Sequence, residues 1–365
     1  MQNRTSRRLS CLIGLAAATF LWAAPGNLLA GSVARFSDIN YYDLNGDSQG
    51  DIFSTRTLTG IPAGQVVRGD LLDPAHVAAF FPVIFPASFE TMGTGNFDSD
   101  PNTSEIVARR ADGTLYFVGP VGPDFTTREV NFAHVSPDFS LVGIGRVDAD
   151  EVDDLVFFKR FGTGGSNDGV LMVALISETM SISNNLFPAV MLSDEIPIGV
   201  GNFDGADGGD IAVFNTMTRN IRVIRLSSNG STFLGNLTPM TVPAGYTVFA
   251  TGAFNADAQL DYLLHAATTP VANLLRIDFT AAGGGSTLTP AFPAILPANA
   301  TPVATGNFDN SGPTDFMGRY TSGGATGHMA QYLLSIDGSG SVSTITFPFG
   351  LFSQLTVLQN HAVLP

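Results

Sequence analysis

The chain has 365 residues, with 32 acidic and 17 basic side chains and a formal net charge of −15. So acidic a chain will not bind nucleic acid through its phosphates or adhere to an anionic membrane, and it suits divalent cations. With 44% hydrophobic and only 13% charged residues there is ample material for a large core.

The N-terminus reads as a secretory signal over residues 1–30, leaving 31–365 as the folded domain. Arg4, Arg7 and Arg8 form a basic end, Leu9 to Ala24 is apolar, and Leu28 to Ala30 before Gly31 fits a small-residue cleavage site. A membrane anchor is the alternative, but the apolar run is short for a spanning helix. Ser6-Arg7-Arg8 touches the twin-arginine export pattern, yet polar Ser10 and Cys11 follow it, which favours the general secretory route. Cleavage after Ala30 removes Cys11 and Trp22, the only cysteine and the only tryptophan. The mature chain then holds no disulfide and rests on its core and on metal. It also loses three arginines and no acid, which takes the net charge to −18.

Next comes Asp43-Leu-Asn-Gly-Asp-Ser-Gln-Gly-Asp51, followed at once by apolar Ile52-Phe53. Asp43, Asn45 and Asp47 alternate and Asp51 closes the loop, so a tight turn gathers their oxygens on one point. Such carboxylates repel unless a hard cation lies between them. Ca2+, which takes roughly six to eight oxygens at flexible geometry, is the ion expected. An EF-hand fits poorly, because Ser54 stands where its bidentate Glu belongs and the flanks read as strands.

The loop recurs five times in weaker form. The copies start at Gly95, Gly145, Gly201, Gly252 and Gly306 and close on Glu105, Asp154, Asp210, Asp261 and Asp315. Their second loop positions, from Asn45 through Asp98, Asp148, Asp204 and Asn255 to Asp309, are separated by 53, 50, 56, 51 and 54 residues. The weaker copies offer as candidate metal ligands Asn96, Asp98 and Asp100; Asp148, Asp150 and Asp154; Asn202, Asp204, Asp207 and Asp210; Asn255, Asp257 and Asp261; and Asn307, Asp309 and Asp315. In each weaker copy a plain hydrogen-bonded turn is the competing reading, since Asp and Asn build turns unaided.

A period near 50 residues means stacked supersecondary units. Each unit predicts an apolar strand before the loop (Leu141-Val-Gly-Ile), a second after it (Asp154-Leu-Val-Phe-Phe) and a third beyond (Ile221 to Leu226). A Phe-Pro or Val-Pro segment such as Phe187-Pro or Val242-Pro ends the unit at an edge, where no ladder donor is needed. Four short strands per unit make a propeller blade, so the expected fold is an all-β propeller of six four-stranded blades. A seventh, degenerate blade is the alternative. Leu355 to Asn360 resembles the strand before each loop and is expected to close the ring on the first unit, a role for which Ile39 to Tyr42 competes.

With these residues in view, the loop and its echoes resemble the FG-GAP/VCBS repeat family, which includes the propellers of integrin alpha subunits and many secreted bacterial repeat proteins. The resemblance covers roughly residues 36 to 360. It implies calcium held in the hairpin loop between the first two strands of a blade. Here its ligands would be Asp43, Asn45, Asp47, the Gln49 carbonyl and Asp51. Arg146 and Ala253 replace the first ligand of the third and fifth loops, Ser311 replaces a carboxylate of the sixth, and the second and fourth loops carry an extra residue. Arg146 could lie among Asp148, Asp150 and Asp154 in place of an ion.

Other chemistry finds little support. The repeated Gly-x-Gly (Gly93/Gly95, Gly143/Gly145, Gly199/Gly201) precedes an acidic loop and a strand, so it fails the context of a dinucleotide site. No Gly-x-Ser-x-Gly or His-Glu-x-x-His occurs, and the five histidines scatter among the repeats. One cluster stands out at the far end of the second strands: Arg56, Arg110, Lys159, Asn215, His265 and Arg319, with Arg109 and Arg160 beside them. It reads either as an anion or ligand platform or as ordinary strand-end solvation. The functional expectation is a secreted, calcium-binding, non-enzymatic module for an extracellular protein or glycan. The competing classes are a propeller-scaffold lyase or hydrolase acting on polysaccharide, and a structural surface repeat.

Overall fold

The computed structural model describes residues 52–56, 65–69, 89–98, 100, 105–119, 128–161, 168–206, 208–255, 257, 259–266, 274–279, 286–290, 300–306, 314–320, 329–336, 342–346 and 361–363. Among them there is no helix; the chain is all-β, in a β-propeller arrangement. The first unit supplies β1 (Ile52–Arg56) and β2 (Gln65–Gly69). The second supplies β3 (Phe89–Gly95), β4 (Glu105–Arg110), β5 (Thr114–Gly119) and β6 (Arg128–His134). The third holds β7 (Phe139–Gly145), β8 (Asp154–Lys159), β9 (Leu171–Ser177) and β10 (Ser181–Leu186). The fourth holds β11 (Glu195–Gly201), β12 (Asp210–Asn215), β13 (Asn220–Leu226), β14 (Phe233–Asn236) and a short β15 (Met240–Thr241). The fifth has β16 (Thr247–Gly252), β17 (Asp261–His265), β18 (Leu274–Phe279) and β19 (Ser286–Pro290). The sixth has β20 (Ala300–Gly306), β21 (Asp315–Tyr320), β22 (Met329–Ile336) and β23 (Val342–Thr346), and β24 (His361–Val363) ends the chain.

Each unit from the second to the sixth is one antiparallel sheet with its strands in sequence order, except that the short β15 of the fourth pairs with β13 rather than β14. The first sheet is β2-β1-β24, so the end of the chain returns to pair with its beginning. The closing strand therefore lies at 361–363, just past the expected Leu355 to Asn360, which falls outside the described residues, as does Ile39 to Tyr42. The proline segments Phe187-Pro188 and Val242-Pro243 come directly after the outer strands β10 and β15.

Burial explains the strand composition. Every residue of β8 is buried, and β9 is buried from Leu171 to Ile176, because these strands carry neighbouring sheets on both faces. The outer strand β10 is largely exposed and polar. The first strands of successive units lie side by side, β3 against β7, β7 against β11 and β16 against β20. Their closeness explains the Gly-x-Gly repeat. A Cβ on Gly143 would come within 2.9 Å of Val200 Cγ2, and one on Gly199 within 2.7 Å of the Tyr262 hydroxyl, both in the next unit. These glycines make room for the adjoining sheet.

Candidate functional site

Every described loop is closed in the same register. The motif glycine faces the closing acid across the first hairpin: Gly95 with Glu105, Gly145 with Asp154, Gly201 with Asp210, Gly252 with Asp261 and Gly306 with Asp315. Each hairpin also carries a bulge two residues before that glycine, as between Leu141 and Gly143. The apolar residue two places after the glycine points inward. Phe97, Val147, Phe203 and Phe254 are fully buried, and burying one such phenylalanine contributes about 1.5–3 kcal/mol. Phe203 stacks on Tyr262 of the fifth unit at 5.4 Å, which ties the loop to the next sheet.

A second tie joins loop to loop. The residue just before each closing acid donates its backbone N–H to the preceding loop: Asp153 to the Asn96 carbonyl, Gly209 to Val147, Leu260 to Asn202 and Thr314 to Ala253. Asp153 Oδ2 and Thr314 Oγ1 return a bond by accepting the N–H of Asn96 and Ala253. The sequence reading missed this position. No residue type marks it, since Asp153, Gly209, Leu260 and Thr314 share only their place before the acid.

The closing acids are buried brackets. Asp154 Oδ2 accepts the N–H groups of Val147 and Asp148, and its Oδ1 accepts that of Ile176 in the third strand. Asp210 repeats the pattern with Phe203 and Leu226. Asp261 Oδ1 accepts from Phe279, while its Oδ2 is buried without a partner. Glu105 Oε2 accepts from Phe97, and its Oε1 is buried without a partner. Burial pushes Asp154 up to about 8 and, with the charge of Asp204, Asp210 up to about 7. Glu105 and Asp261 are also raised, first by burial and then by neighbouring carboxylates.

The other candidate ligands mostly turn the backbone. Asp98, Asp148, Asp204 and Asn255 each accept the N–H two residues on, at 2.8–3.1 Å. Asp150 and Asp257 do the same for Val152 and Gln259. Asn202 ties Gly205 and Ala206 into the fourth loop. These are Asx turns, local side-chain bonds that replace helix or ladder pairing.

Cations enter from the protein itself. Arg225 Nε reaches Asp204 Oδ2 at 2.6 Å, and Arg276 bonds the Phe254 carbonyl while pairing with Asp278. Arg146 acts on Asp150, which burial raises to about 6 and the arginine lowers; its Nε is buried without a hydrogen-bond partner. Among the described residues no group of three or more His, Cys, Asp or Glu is placed to hold a metal ion. Asp43, Asn45, Asp47, Gln49 and Asp51 lie outside the described residues, as do Asp207, Asn307 and Asp309; Asp315 is buried at the start of β21.

The basic cluster sits at the ends of the second strands opposite these loops, as expected: Arg56 ends β1, Arg110 β4, Lys159 β8, Asn215 β12 and His265 β17, and Arg319 is next to last in β21. The described side chains are engaged near their own strand ends. Arg110 pairs with Asp112, and Lys159 lies 3.7 Å from Asp138 and 4.0 Å from Asp168. Asn215 donates to Asp194 and accepts from the N–H groups of Met217 and Thr218. His265 is half-buried, which lowers its pKa.

No protein-family model and no curated protein matches the chain. Similar solved structures include prolyl oligopeptidase B from Galerina marginata, 12% identical with TM-score 0.45 over 83% of this chain and 43% of that one. An exo-beta-1,3-galactanase from Phanerochaete chrysosporium is 11% identical with TM-score 0.39, over 70% of this chain and 66% of that one. A post-proline cleaving enzyme from Rickettsia typhi is 9% identical with TM-score 0.33, over 71% and 37%. The chain thus spans less than half the length of the prolyl oligopeptidase, and the likeness is one of fold alone.

Proposed function

We propose that the chain is a six-bladed propeller of the FG-GAP/VCBS type, secreted after loss of residues near 1–30. It holds Ca2+ in its first loop and acts as a non-enzymatic extracellular binding module for a protein or a glycan. The observation that carries this reading is the shared register of glycine and acid in all the described loops. It supports reading Asp43, Asn45, Asp47, the Gln49 carbonyl and Asp51 as the ligands of the first loop, which precedes β1 in the sequence.

The donor chemistry fits a hard cation. The loops offer carboxylate, amide, hydroxyl and carbonyl oxygen, and the buried Glu105 Oε1 and Asp261 Oδ2 lack partners. When bound, the ion would neutralise the loop and stabilise the folded chain by mass action. The first loop ranks above the copies because it alone joins an acid at the first position to the uninterrupted spacing. The protein's own residues do the rest: closing acids pin loop to strand, and the residues before them pin blade to blade.

Calorimetric titration of the exported protein with Ca2+ tests the reading. Uptake that Asp47→Asn weakens supports it; no uptake, or release of product from an offered polysaccharide, refutes it.

A further inference from the structure

Across the third and fourth units, at the end opposite the carboxylate loops, runs a ridge of exposed apolar side chains. Phe161 follows β8, Val190 and Leu192 lie on the link to β11, and Met217 stands in the turn after β12; they are 41%, 70%, 62% and 80% exposed. Short approaches and backbone bonds link the segments that carry these residues. A Cβ on Gly169 would meet the Phe161 ring at 2.2 Å, the Gly169 carbonyl accepts the Met191 N–H, and Val190 bridges Val170. From Leu192 the chain turns through Asp194, whose carbonyl accepts the Thr216 N–H one residue before Met217.

This surface is built rather than loose. Asn215 Oδ1 holds the Met217 and Thr218 N–H groups. Arg219, at φ 60°, donates to the carbonyls of Val242, Pro243 and Tyr246. Leu192 donates to Glu195, which Arg222 grips with two bonds. With the backbone fixed this firmly, covering the ridge costs side-chain freedom but little backbone ordering. Exposed hydrophobes scattered singly are ordinary, whereas several gathered at one end of two adjoining units mark a contact surface.

Charge selects the occupant. The chain carries −15, yet at this end of the two units four cations (Lys159, Arg160, Arg219 and Arg222) balance four carboxylates (Asp138, Asp168, Asp194 and Glu195). A strongly acidic molecule can approach its own kind at such a neutral, apolar place. We infer that the ridge of Phe161, Val190, Leu192 and Met217 is a two-fold self-association surface, occupied by a second copy of this chain. In an isologous contact the same patch serves both copies, so no complementary patch is required.

The salt dependence separates this contact from a polar one. Each copy's net charge repels the other, and salt screens that repulsion over a Debye length of about 10 Å at 0.1 M and 3 Å at 1 M. Dimerisation should therefore tighten several-fold from about 0.05 to 0.5 M NaCl, whereas a contact made of ion pairs would loosen. The test is sedimentation equilibrium on the chain as exported by a secreting host, its start read by mass spectrometry.

Met217→Asp or Leu192→Asp should weaken the dimer about tenfold or more, a loss of about 1.4 kcal/mol per tenfold. Phe233→Ser, on the outer strand β14, should leave it unchanged. Circular dichroism checks that each variant folds, and Met217→Ser stands in if an aspartate variant does not. A monomer mass at all concentrations up to about 100 µM, well above a micromolar dimer constant, would overturn the inference, whether the ridge stays bare or takes another protein. A dimer that loosens with salt, or that ignores Met217 and Leu192, would overturn it equally.

Discussion

The second and fourth loops share one motif and handle its charge in opposite ways. In the fourth, both oxygens of Asp210 take backbone N–H groups, and Arg225 pairs with Asp204. In the second, Glu105 spends one oxygen on Phe97 and keeps the other buried without a partner, as are both polar atoms of the Asn96 side chain. The charges that act most on Glu105 are those of Asp98, Asp153 and Asp100, all of its own sign. The sequence explains part of this. Asp154 and Asp210 receive an N–H from the third strand, from Ile176 and Leu226. After β5 the corresponding residue is Pro120, which has no N–H to give. A repeat loop can thus be completed by an internal arginine, or be left needing a proton or a cation.

The largest expected effect comes from taking the arginine away. Asp204 is 2% exposed at its side chain and Arg225 29%. Removing one partner of a buried pair costs about 3–5 kcal/mol, and the partial exposure of Arg225 puts Arg225→Met at the lower end. Urea unfolding would measure it. The double variant with Asp204→Asn should recover most of the loss; a single variant within about 1 kcal/mol of the parent would show that the fourth loop does not depend on its arginine.

Next in size is the response to pH. Asp154 and Asp210 titrate at about 8 and about 7 in the folded chain, against 3.8 for an ordinary aspartate. Between those values the folded state binds more protons than the unfolded one, so stability is fullest below pH 4 from this source and falls as pH rises through 7 and 8. Ordinary carboxylates are ionised by about pH 5, which leaves the window from 6 to 8 to the buried acids. His265, lowered by burial, pulls weakly the other way. In chelator the melting temperature should drop from pH 6 to 8, and added calcium should shrink the drop. A rise across that window would mean the acids are already compensated.

Calcium affinity should distinguish the loops further. Asp47→Asn is expected to weaken uptake about tenfold or more, while Asp257→Asn changes it little, because affinity follows ligand charge and rigidity. Asp257 already accepts the Gln259 N–H. Equal losses in calorimetric titration would erase the ranking of the first loop over the fifth.

Much of the architecture was legible because the repeat writes itself five more times. The period located the hairpins, and the alternation of apolar strands located the sheets. The motif glycines and closing acids fell in register as the pattern required. What stayed hidden depends on neighbours far away in sequence. No local signal says that Asp153 will accept the Asn96 N–H from 57 residues off, or that Arg225 will reach back to Asp204. The strand-end cluster shows the reverse case. Its members were placed at the right ends, but their partners are Asp112, Asp138, Asp168 and Asp194, which a search for basic residues overlooks.

The smallest effect is the most discriminating. Glu105 is fully buried, and burial first, then the carboxylates around it, raise its pKa well above the usual glutamate range. Glu105→Gln keeps a carbonyl oxygen for the Phe97 N–H and puts a neutral amide where burial disfavours a charged carboxylate. It should shift the unfolding free energy by less than about 1 kcal/mol near pH 7, within the range of a neutral hydrogen-bond exchange. It should also flatten the loss of stability with rising pH, because the raised acid no longer titrates. The matching change in the fourth loop, Asp210→Asn, is not silent, because one amide oxygen cannot accept from Phe203 and Leu226 on opposite sides. An amide nitrogen then faces a donor, which costs about 1–3 kcal/mol. If Glu105→Gln proves as costly as Asp210→Asn, the second loop holds an ionised acid with a compensating charge, and the two loops do not differ in the way their geometry indicates.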